Sequence, residues 1–121
     1  MNPMSASFDG SGSARPVLRA TTELGVVDDP SLEILRTLIF GLGQGNPYLV
    51  IERTDLPDAD HYAQALHRPD GSWIVEFRDG GRNRHYQADA SGPGAAYRVL
   101  AGWALQLPDW QEGLTWRPVY Q

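Results

Sequence analysis

In the stretch Ser72-Trp73-Ile74-Val75-Glu76-Phe77-Arg78, Trp73, Val75 and Phe77 fall on alternate positions, with Ser72, Ile74, Glu76 and Arg78 between them. A period of two places the first set on one face of a β-strand and the second set on the other. Turn chemistry brackets this strand. Arg68-Pro69-Asp70-Gly71 precedes it, where proline pre-sets φ and glycine supplies the positive φ of a hairpin bulge. Asp79-Gly80-Gly81 follows it as a second turn.

Working outward, His61 to His67 and Arg84 to Ala88 read as the neighbouring strands. Tyr48-Leu49-Val50-Ile51-Glu52-Arg53 is a further β-rich run, bounded by Asn46-Pro47. The acidic segment Thr54 to Asp60, broken by Pro57, is a loop. These runs predict a four-stranded antiparallel meander whose last three strands are joined by tight turns.

Helices flank the meander. Leu32, Leu35, Leu38, Ile39 and Leu42 recur at three- and four-residue spacing, after Asp29 as an expected cap and Pro30 in the first turn. Gly41, Gly43 and Gly45 end that helix. A second helix is expected from Ala95 to Leu107, with Ala96, Val99, Leu100, Trp103 and Leu107 on one side and Pro108 stopping it. Leu114 to Tyr120 reads as a short final strand, with Pro118 at an edge or just past its end. The expected fold class is therefore α+β: a four-stranded antiparallel meander with two amphipathic helices packed on one face and a short C-terminal strand. The other face is left to solvent or to a partner. Residues 1–16, rich in Ser, Gly and Ala, read as a disordered tail, and 17–121 as one domain.

A chain of 121 residues with 41% hydrophobic side chains has material for one core. There are no cysteines, so disulfides, thiolate metal sites and cysteine nucleophiles are excluded together. No run approaches the length needed to span a bilayer, and the N-terminus lacks the basic and apolar regions of a signal peptide, so a cytoplasmic location is expected. All ten basic residues are arginine, as GC-rich codon usage favours. Charge is uneven: residues 20–60 hold eight acids against two arginines, a net of −6, while residues 61–121 balance at zero. An acidic half argues against nucleic-acid binding and suits a basic partner, although ordinary solubilising charge is an equal reading.

Catalytic and metal readings fail on spacing. His61 and His67 are six apart in one strand, roughly 20 Å along it, beyond the reach of one ion. His85 is expected near one of them across the sheet, without an identifiable carboxylate. Asp55, Asp58 and Asp60 lack the glycine and glutamate of a calcium loop. Glu52 and Glu76 are expected on one face, but no insertions build the cleft that paired catalytic acids need, and Arg53 and Arg78 are expected to balance them. The glycines at 41, 43 and 45 follow a helix rather than opening one, so they do not make a phosphate loop. Arg78, Arg82 and Arg84 crowd one turn. Trp73 and Trp103 fall on core faces; Trp110 and Trp116 include a candidate interface anchor.

Four stretches carry a family pattern: YLVIER (Tyr48–Arg53), HYAQA (His61–Ala65), VEFRDG (Val75–Gly80) and RHYQ (Arg84–Gln87). An amphipathic helix and Trp103, Trp110 and Trp116 close it. Over roughly residues 46–117 the chain resembles the Imm1-type immunity proteins of actinobacterial polymorphic toxin systems. The resemblance implies an α+β fold that binds and blocks a cognate toxin, with no catalytic residue, cofactor or metal. On that reading Glu52, Asp55, Asp58, Asp60 and Glu76 form the partner-binding face, flanked by Arg78 and Arg82, and the partner is basic. A structural or regulatory subunit stands as an alternative. So does a small-molecule binding domain or small enzyme, which a cavity lined by His85 or Glu76 would favour.

Overall fold

The computed structural model describes residues 17–56 and 60–119. The tail expected over residues 1–16, and Asp58 in the acidic loop, lie outside the described residues. The strands are β1 (Leu18–Thr22), β2 (Gly25–Asp28), β3 (Tyr48–Arg53), β4 (His61–His67), β5 (Trp73–Asp79), β6 (His85–Ala90) and β7 (Arg117–Pro118). They form one antiparallel sheet in the order β2-β1-β3-β4-β5-β6-β7. The expected four-stranded meander is thus the centre of a seven-stranded sheet. The unforeseen addition is the β1–β2 hairpin. Thr21, Thr22, Val26 and Val27 give it β-branched content, but Leu24 and Val26 are exposed, so the apolar alternation of a half-buried strand is missing. Pro118 lies, as expected, on the edge strand β7.

The helices are α1 (Leu32–Phe40) and α2 (Pro93–Leu105). Ser31, not Asp29, caps α1: its hydroxyl accepts from the Ile34 amide at 3.1 Å. Asp29 has another task. At φ 47 its carboxylate accepts from the Val17 and Leu18 amides, at 2.8 and 3.0 Å, and ties the end of the hairpin to the start of β1. Of the predicted stripe, Leu35, Ile39 and Leu42 are buried and Leu32 is exposed. In α2, Ala96, Val99 and Leu100 are buried. Gln106 then turns left-handed at φ 58 and the Leu107 amide bonds the Gly102 carbonyl. That closure takes Leu107 off the helical stripe and leaves it exposed.

The two helices pack on each other, and α2 rests on β4, β5 and β6. Leu35, Ile39, Val99 and Leu100 share one core with Leu49, Ile51, Val75 and Ala88 of the sheet. Ala63, Ala65 and Ala88 are fully buried at its centre, where small side chains let α2 come close. Each large aliphatic residue buried there contributes about 1.5–3 kcal/mol. The segment after α2 folds back on the sheet through aromatics: Trp110 and Trp116 stand edge-on to Phe77, at 4.8 and 5.1 Å between ring centroids. Both tryptophans therefore anchor the chain's own C-terminal segment.

Candidate functional site

Strand register assigns every sheet residue to a face. The face that carries Leu49, Ile51 and Val75 is covered by the helices; none of the described elements packs on the other. Across the open face, Asp28, Arg19, Glu52, Tyr62, Arg78 and His85 form one continuous row over six strands. A second row runs Val26, Thr21, Val50, Gln64, Glu76, Gln87 and Arg117. A third holds Tyr48, Leu66, Ile74 and Asp89, so the face grades from charged at one end to apolar at the other.

Glu52 and Glu76 do share this face, as expected. Arg53 does not: it points to the helix side and makes two hydrogen bonds to the Asp55 carboxylate, at 3.0 and 2.8 Å. It balances neither glutamate. Arg78 reaches Asp60 at 3.7 Å, and its Nε is buried without an acceptor among the described residues. Arg19 pairs with Asp28 at 2.8 Å. His85 is on the open face, opposite to His61 and His67, and its Nε2 lies 2.8 Å from the Glu76 carboxylate. The expected neighbourhood between His85 and another histidine is therefore absent: the strand period puts them on different sides. Burial pushes the Tyr62 phenol above its ordinary value; the nearby Glu76 adds to this and Arg78 opposes it.

The described candidate residues come together at one end of the sheet. Glu52 is the penultimate residue of β3, Asp55 and Asp60 stand in the following loop, Glu76 and Arg78 lie in β5, and Arg82 opens the short 3₁₀ turn (Arg82–Arg84) before β6. The Gly80 amide bonds the Asp60 carbonyl at 2.9 Å, which ties the acidic loop to that turn. Two residues the sequence reading left out, Asp28 and Asp79, belong to the same end. Six carboxylates (Asp28, Glu52, Asp55, Asp60, Glu76, Asp79) stand there with five arginines (Arg19, Arg53, Arg78, Arg82, Arg84), a net of −1 with the histidines neutral. This end is mixed in sign rather than uniformly acidic, but Arg19, Arg53 and Arg78 each already have an aspartate.

On the helix side of this end lies a cleft of about 310 Å³, lined by Arg53, Leu56, His61, Phe77, Asp79, Trp103, Gln106, Leu107, Trp110 and Gln111. His61 Nδ1 stands 3.2 Å from the Asp79 carboxylate. Neither Glu76 nor His85 lines it. Its walls come from four separated segments, which is why no local motif announced it. A second hollow, about 700 Å³, lies at the opposite end of the sheet between Gly43–Pro47 and His67–Gly71. There His67 Nδ1 meets the Leu42 carbonyl at 2.9 Å and the ring stacks on Trp73 at 4.2 Å, which gives that histidine a packing role. Among the described residues no group of three metal-binding side chains occurs.

Comparison with protein-family models, with curated proteins and with solved structures finds no match. Among the described residues no helix is long and apolar enough to cross a membrane.

Proposed function

We propose that this chain is a non-catalytic binding module that neutralises a basic protein partner, as an immunity protein does, and that the acid-rich end of the sheet is its contact surface. One observation carries the reading: strand register gathers six carboxylates from three strands and a loop at one end, where Arg19, Arg53 and Arg78 are held by aspartates. Such a surface attracts a cationic patch and speeds its association. The adjoining open face, with Tyr48, Tyr62, Val50 and Leu66 half-buried, offers apolar and aromatic area for the contact that follows.

A tagged pull-down from the native host, eluted with a salt gradient and followed by mass spectrometry, tests this. The expected result is a stoichiometric basic protein released by rising salt. Its expression alone arrests growth, and co-expression with this chain restores it. Recovery of no stoichiometric partner from cells that express the chain well would overturn the proposal, as would a partner whose activity the chain leaves intact.

A further inference from the structure

The cleft behind the acid-rich end is built for a positive guest. Phe77, Trp103 and Trp110 form aromatic walls, and aromatic rings attract cations through their quadrupole. Among the lining residues the one guanidinium, Arg53, is held by both oxygens of Asp55, so it does not select an anion. Arg78, next in sequence to Phe77 and Asp79, points to the opposite face. Asp79 stands at the mouth, its carboxylate 3.2 Å from His61 Nδ1 but with 61% of its side chain exposed and open to a further donor. The turn that carries Trp110 and Gln111 adds Asp109 and Glu112, both exposed. Gln106 and Gln111 supply neutral acceptors beside the rings.

We infer that this cleft receives one cationic side chain of the protein partner, with arginine as the best fit. A planar guanidinium stacks on indole and donates to carboxylate and amide oxygens at once. The inference rests on the proposed function and deepens it: the acids of the sheet end attract the basic partner, and the cleft seats one of its side chains.

The test uses small probes and no partner, so its failure is distinct from failure of the parent reading. N-acetyl-argininamide is titrated into the labelled protein, with N-acetyl-citrullinamide as the neutral isostere. The indole N–H signals of Trp103 and Trp110, assigned through Trp→Phe variants, are followed by NMR. Saturable shifts confined to these two indoles and specific to the arginine probe support the cleft. Asp79→Asn is expected to weaken the response about threefold, and Leu107→Arg, which sets a like charge at an exposed lining position, to abolish it. Equal shifts with both probes, no saturation, or an unchanged response in Leu107→Arg would overturn the inference.

Discussion

Glu76 of β5 and His85 of β6 are diagonal neighbours, with carboxylate and imidazole 2.8 Å apart on the sheet face the helices do not cover. His85 is only 7% exposed there, with Tyr62 edge-on at 6.0 Å between ring centroids. A buried polar pair is costly to break from one side, because the partner left behind stays desolvated. His85→Leu is expected to cost about 1–3 kcal/mol in urea denaturation. Glu76→Gln, which keeps an acceptor oxygen, should cost clearly less. Equal losses in the two variants would show that the pair is not what holds His85.

Tyr62 predicts an alkaline response. Its phenol titrates above the ordinary value of 10.0 because burial disfavours the phenolate. The folded state therefore keeps a proton that the unfolded chain releases, so the stabilisation is fully present below pH 10.0 and is lost as pH rises through the folded value. Phenolate absorbance should contain a late-titrating component that is lost in Tyr62→Phe. That variant should also lose part of the fall in stability above pH 10.0.

Gly102 tests the seat of the C-terminal segment. Alanine in a helix interior usually gains up to about 1 kcal/mol over glycine. Here an added Cβ would stand 2.6 Å from the Trp110 Cβ, a contact that atoms do not tolerate. Overpacking of that kind costs about 1–3 kcal/mol and should win, so Gly102→Ala is expected to lower the denaturation midpoint. Trp110 fluorescence should shift red as the indole is pushed outward.

The central sheet and both helices were legible because their apolar residues repeat at periods the backbone imposes. Trp73, Val75 and Phe77 declare a strand, and Leu35, Ile39 and Leu42 a helical face. The β1–β2 hairpin was not legible, since Leu24 and Val26 point outward and the burial of Ala20 and Thr22 depends on tertiary packing. Composition marked the acidic loop but not its geometry. Alternation along β3 puts Arg53 on the face opposite Glu52, and only register brings Asp28 from the distant strand β2 to the same end. The cleft draws on residues 53 to 111, and no local pattern connects them.

The most direct test of the binding account is a calorimetric affinity for the captured partner, compared between two variants of equal charge change. One carries Glu52→Gln, Asp58→Asn and Asp60→Asn, and leaves Asp55 in place because it holds Arg53. The control carries Glu23→Gln, Asp70→Asn and Asp89→Asn, which are exposed and lie toward the opposite end of the sheet. The account predicts a loss of about tenfold or more for the first, enlarged at low salt, and little change for the control. Equal affinities, or equal losses in both, would contradict the claim that this end of the sheet is where the partner binds.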